Sequence, residues 1–148
     1  MSKPTFLLVD GHSVIFSLGE LRKLHRGNPR HARDQLVGRL ARYVDSSDER
    51  VVVVFDGQGV TSEERTEVSG LQVFYSGSGQ TADDVIERLV ANYSATYELT
   101  VATEDLMERT TVEASGGWTI GVEALNERRE KAELGLAEKI ERLRGGGR

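Results

Sequence analysis

The chain has no cysteine. Disulfide staples, thiolate nucleophiles and thiolate metal centres are therefore excluded. It also lacks a long apolar run. The longest, Val51 to Phe55, is far too short to cross a bilayer. The N-terminus has no apolar core of the kind a secretory signal carries. No internal repeat is visible. These absences point to a cytoplasmic protein without a membrane partner. At 148 residues, 38% hydrophobic and 29% charged, the composition is that of one globular domain. That domain is expected over residues 1–143, with a frayed tail at 144–148.

The net charge of −5 hides an asymmetry. Residues 1–42 carry eight Lys/Arg against three Asp/Glu, and the remainder carries eleven against twenty-one. From Arg22 to Arg42 the only acid is Asp34. A basic block on an acidic protein can attract phosphates without making the whole surface adhesive. On charge alone, a solvated helix face explains it equally well.

Short apolar runs at Thr5–Val9, Val51–Phe55, Leu71–Phe74, Leu99–Ala102 and Trp118–Ile120 read as buried strands. Helical spacing separates them. Leu36, Val37, Leu40, Ala41 and Val44 form one stripe, and Val85, Ile86, Leu89, Val90 and Tyr93 another. A last helix is expected over about Val122 to Leu143. Pro29, after Gly27-Asn28, suits the first position of a helix. Alternating strands and helices predict an α/β fold, with a mainly parallel five-stranded sheet covered on both faces.

Three of these strands end on or near an aspartate: Asp10 in "FLLVD", Asp56 in "VVVVFD" and Asp105 in "LTVATED". In a parallel sheet the carboxyl ends share one edge, where ligands of open α/β sheets bind. Gly11 is expected to let the chain turn sharply after Asp10 and to leave room for a substrate. A fourth acid comes from "QTADDVIERL". Thr81 reads as an N-cap with Asp84 as its capping-box partner. At 100° per residue, Asp83 lies roughly 90° from the apolar stripe and Asp84 roughly 170°. Asp83 should therefore flank the buried face and Asp84 should point to solvent. Clustered carboxylates repel one another unless a cation joins them, and an all-oxygen donor set suits Mg²⁺ or Mn²⁺. Such an ion can activate water and offset charge on a phosphodiester, while the basic block supplies attraction to the nucleic-acid backbone.

The ordered set "LLVDGHSVI", "ARDQLVGRLARY", "VVVVFDGQG", "QTADDVIERL" and "LTVATED" resembles the YacP-like proteins of the NYN group of PIN-like nucleases. The resemblance covers about residues 5–143. It implies a three-layer α/β/α sandwich and metal-dependent RNA endonuclease activity. It further implies mRNA as substrate and the ribosome as a candidate partner. By position, it implies Asp10, Asp83 and Asp105 as catalytic metal ligands, with Asp56 as a further ligand or a support. Thr103 becomes an orienting hydroxyl and Arg33 a phosphate contact, with Arg30 beside it. Family members commonly read "DGYN" where this chain reads "DGHS". His12 and Ser13 replace the tyrosine and asparagine, and Ser13 keeps hydrogen-bonding capacity on a shorter side chain. The altered motif also motivates a second reading, a non-catalytic RNA- or ribosome-binding module. A metal-dependent phosphatase on a similar sheet commonly has a second acid two positions after the first; His12 stands there. Trp118 and Tyr75 read as packing residues, "SGSG" at Ser76–Gly79 as a mobile loop, and the chain as a monomer or weak dimer.

Overall fold

A computed structural model describes residues 3–57, 64–68, 70–77 and 79–145, with the backbone alone described for 64–68. The elements run β1 (Thr5–Asp10), α1 (Gly11–Ser17), α2 (Gly19–Gly27), α3 (Pro29–Ser46), β2 (Arg50–Phe55), β3 (Glu64–Val68), β4 (Leu71–Tyr75), α4 (Ala82–Tyr93), β5 (Glu98–Ala102), α5 (Leu106–Ala114), β6 (Trp118–Ile120) and α6 (Val122–Gly145). The sheet order is β3-β4-β2-β1-β5-β6. Neighbours pair in parallel except β3, which lies antiparallel on β4. The five expected strands are all present and parallel. β3 is an addition: its polar sequence "ERTEV" has no buried-strand pattern, and the backbone ladder to β4 defines it.

Both faces of the sheet are buried, which is why its strands are nearly continuous in apolar residues. Side chains alternate between the faces. Leu7, Val9, Val51, Val53 and Phe55 join a core built with α1, α2, α3 and α6. Leu8, Val52, Val54 and Val101 join a second core under α4 and α5. The result is the expected three-layer α/β/α sandwich. β1 sits where the chain order reverses, with β2 on one side and β5 on the other. This is the switch point at which open α/β sheets form their binding crevice.

Several details differ from the sequence expectations. α1 begins directly at Gly11, so β1 passes into a helix without a loop. A Cβ on Gly11 would lie 2.3 Å from the Phe55 ring. The glycine therefore makes room for Phe55, and not for a substrate. α5 was not foreseen, because Leu106 and Met107 are exposed and the helix buries only Glu108 and Val112. α6 continues through Arg144 and Gly145. Residues 146–148, the rest of the expected tail, lie outside the described residues. Trp118 is 63% exposed on the edge strand β6, whereas Tyr75 packs on Phe55 with ring centroids 5.6 Å apart. Ser76 and Gly77 of the expected mobile loop are buried, and Ser78 is outside the described residues. No helix among the described residues is long and apolar enough to cross a membrane.

Candidate metal centre

Asp10 is the last residue of β1 and follows Leu8 in the alternation, so it points to the face covered by α4 and α5. It is 5% exposed. Its Oδ1 accepts from the Ser13 N–H at 3.3 Å, capping α1, and its Oδ2 lies 3.3 Å from Thr103 Oγ1. Asp83, in the first turn of α4, is half-buried. Glu108 lies on α5 one turn before the buried Val112 and is 1% exposed. One carboxylate oxygen from each of Asp10, Asp83 and Glu108 falls within 4.8 Å of the others. Three elements thus deliver three carboxylates to the carboxyl edge of the sheet.

Thr103 organises this triad. It is fully buried, accepts from the Asp105 N–H at 3.1 Å, and lies 3.1 Å from Glu108 Oε2 as well as 3.3 Å from Asp10 Oδ2. Its single hydroxyl proton serves one carboxylate at a time. Glu108 Oε1 is buried without a hydrogen-bond partner. Burial, hydrogen bonding to Asp10 and the charge of Asp10, with Asp83 adding to both, push the Glu108 carboxyl up to about 10. Burial likewise raises the pKa of Asp83, helped by the charges of Asp10, Asp105 and Asp56 and opposed by a hydrogen bond with Glu108. Without a cation, Glu108 therefore holds a proton at neutral pH. Hard oxygen donors, mutual repulsion and an orphaned buried oxygen are the features a divalent cation would satisfy.

The remaining expected residues surround this triad. The acids open into a cleft of about 340 Å³ lined by Asp10, His12, Ser13, Phe16, Asp56, Thr81, Ala82, Asp83 and Asp105. Asp105 is exposed, and its Oδ1 caps α5 by accepting from the Met107 and Glu108 N–H groups at 2.9 and 3.2 Å. It borders the triad without joining it. Asp56 also stands outside it. Its Oδ1 accepts from the Ala82 N–H at 2.7 Å, and its Oδ2 lies 3.3 Å from His12 Nδ1. It holds the start of α4, and so the backbone that carries Asp83. His12 has its pKa lowered by burial, against the opposing charges of Asp56 and Asp10. Ser13 Oγ accepts from the Glu104 N–H at 2.7 Å, tying the loop after β5 to α1. Asp84 forms the reciprocal capping box with Thr81 and is exposed.

The basic block divides in two. Arg39 pairs with Glu20 at 2.8 Å and Arg42 with Glu133 at 3.4 Å. Arg22, Lys23, Arg26, Arg30 and Arg33 have no ion-pair partner among the described residues. Arg33 acts electrostatically on His12, and its Nε is buried without a partner. Arg30 is exposed in the first turn of α3 and is not among the cleft-lining residues.

Sequence reasoning missed Glu108. Its signal was a carboxylate four residues before Val112, on the only buried face of its helix.

A model of the YacP-like NYN domain matches residues 7–146. The uncharacterized protein YacP of Bacillus subtilis (strain 168) is 32% identical over 112 residues, covering 74% of this chain and 66% of that protein's length. Two crystal structures of Rae1 (YacP) from Bacillus subtilis superpose on this fold. A variant with one tryptophan replaced by leucine gives a TM-score of 0.79 at 25% identity, covering 97% of this chain and 85% of the other. The second gives 0.77 at 28% identity, covering 93% and 80%. With the domain match spanning nearly its whole length and an acidic cluster at the expected sheet edge, the chain belongs to the YacP-like NYN domain family and has its nuclease-like fold.

Proposed function

We propose that this protein is a divalent-metal-dependent RNA endonuclease that hydrolyses phosphodiester bonds, with mRNA at the ribosome as its target. The observation that carries the reading is the triad of buried Asp10, half-buried Asp83 and buried Glu108, with one Glu108 oxygen that no donor among the described residues reaches. These three residues would hold Mg²⁺ or Mn²⁺. Such an ion, when bound, supplies an activated water and offsets charge developing on the phosphate.

The chain's own groups do the rest. Thr103 orients the Asp10 and Glu108 carboxylates through its hydroxyl. Asp56 and Ser13 hold α4 and the loop after β5 in register with α1. Asp105, at the cleft mouth, adds negative charge that favours a cation. Arg33 and Arg30, without an ion-pair partner among the described residues, draw the RNA backbone toward an otherwise repulsive acidic cleft together with the cations of α2. Membership of the YacP-like NYN domain family, with its nuclease-like fold, supports the nuclease reading, and the resemblance to YacP-like proteins supports the ribosome as the place of action.

A second reading is a non-catalytic RNA- or ribosome-binding module on the same fold. The observation that favours it is Ser13: its hydroxyl, where relatives commonly carry asparagine, is engaged by the Glu104 N–H.

One experiment separates the two. Wild type and Asp10→Asn are incubated with naked structured RNA and with translating ribosomes, with and without Mn²⁺ or Mg²⁺. Metal-dependent cuts from wild type, absent with Asp10→Asn, are the expected result. Binding without any cuts on either substrate would favour the binding module, and full activity of purified Asp10→Asn would remove the mechanism.

A further inference from the structure

Phe16 is a large apolar residue that joins neither core of the fold. α1 buries Gly11, Val14 and Ile15, and Phe16 falls off that stripe with 46% of its surface exposed. It nevertheless lines the cleft that holds Asp10, Asp83 and Asp105. Its ring stacks beside the His12 imidazole, with centroids 6.2 Å apart and planes at 21°, and meets His25 edge-on at 4.8 Å. His25 belongs to α2, so the ring is braced from the next helix. Arg22 of the same helix donates from Nη1 to the Phe16 backbone carbonyl at 3.2 Å. Arg22, Lys23 and Arg26, with Gly19 and Glu20, line a separate hollow of about 470 Å³ on α2; Glu20 is paired with Arg39.

A braced, partly exposed aromatic ring, with cations on the helix that braces it, is the combination that binds an unpaired base and its phosphates. In a duplex the base faces are covered by their neighbours, so a protein ring reaches them only in single strands, loops or bulges. We propose that Phe16, braced by His12 and His25, is a base-stacking platform beside the acidic cleft, engaging an unpaired base of the RNA bound there. The proposal deepens the nuclease reading and rests on it for the nature of the ligand.

The test is equilibrium binding by fluorescence anisotropy in chelator, so that hydrolysis plays no part. The probes are a single-stranded RNA decamer, a blunt duplex of the same sequence, and a decamer of abasic ribose phosphates. Wild type should prefer the single strand to the duplex. Phe16→Ala and Phe16→Leu should each weaken single-strand binding by about tenfold, the size of one base–aromatic stack. Phe16→Trp should retain it. The abasic decamer should bind wild type and Phe16→Ala equally, and the salt dependence should not change, because no phosphate contact is removed. Melting temperatures of the variants report that the fold is intact. Wild-type-like single-strand binding by both Phe16→Ala and Phe16→Leu overturns the proposal. So does an equal loss on the abasic decamer, or no single-strand binding by wild type. Cleavage assayed separately with Mn²⁺ keeps the two readings distinguishable: an enzyme that cuts but ignores these substitutions sinks only the platform.

Discussion

Glu108 is the most deeply buried carboxylate among the described residues. A carboxyl with 1% exposure and one unpartnered oxygen is unfavourable in any protein that does not use it. Glu108→Gln is therefore expected to act in opposite directions on stability and on metal binding. The amide removes the ionisable group, so the metal-free protein should melt at the same or a higher temperature than wild type at pH 8. Mn²⁺ affinity, read by calorimetry, should fall by more than the about 10- to 100-fold that loss of an outer-shell partner costs. A variant that melts lower and binds Mn²⁺ as well as wild type would assign Glu108 to the core alone.

At the scale of elements, the site depends on how α1 and α4 start. Gly11 lets α1 begin at once after β1 because no Cβ meets Phe55. Gly11→Ala should cost about 1–3 kcal/mol through overpacking. The loss should be smaller in a Phe55→Leu background, a coupling that a double-mutant cycle in denaturant melts would measure. Additive losses would mean that the ring is not the obstacle.

α4 is capped by Thr81, and Asp56, just after β2, accepts the Ala82 N–H at its first position. Asp56→Ala should cost about 1 kcal/mol, the usual value of a lost helix-terminal acceptor, and lower the melting midpoint by about 3 °C. It should also reduce metal-dependent cleavage, because Asp83 stands on the same turn. Unchanged activity with the full stability loss would make Asp56 purely structural.

Across the whole molecule, the acidic edge ties stability to pH. Glu108 has its pKa raised from 4.5 to about 10 in the folded state. Between those values the folded protein keeps a proton that the unfolded chain has released, so this group lowers stability as pH rises through that window. Asp83 acts in the same sense. His12, its pKa lowered, acts oppositely just below its ordinary value. The difference between wild type and Glu108→Gln isolates the Glu108 part: the two melting curves should diverge as pH rises, with wild type the less stable. Saturating Mn²⁺ should flatten the wild-type decline, since a bound cation takes the place of the proton. Calorimetry in two buffers of different ionisation enthalpy should register proton release on metal binding. Parallel pH profiles, with no proton released, would count against the triad as the metal site.

Local chemistry in the sequence was enough for much of this protein. The five parallel strands were legible because burial on both faces demands continuous apolar runs. Asp10, Asp83 and Asp84 were separable because strand ends and helix geometry depend on residue order alone. The domain family was legible because its motifs occur in sequence order. Only the tertiary structure decided the membership of the acidic triad. Glu108 enters it through the packing of α5, a helix with almost no apolar stripe, while Asp56 and Asp105 are drawn away to satisfy helix termini. Tertiary pairing also gave β3 its place, assigned Gly11 to Phe55, and withdrew Arg39 and Arg42 into ion pairs. For Gly11, Asp56, Arg39 and Arg42 the deciding partner lies far away in the chain, and only folding sets the distance between them; β3 and Asp105 have near partners, but a polar strand and a cap without an apolar helix behind it leave no pattern to read.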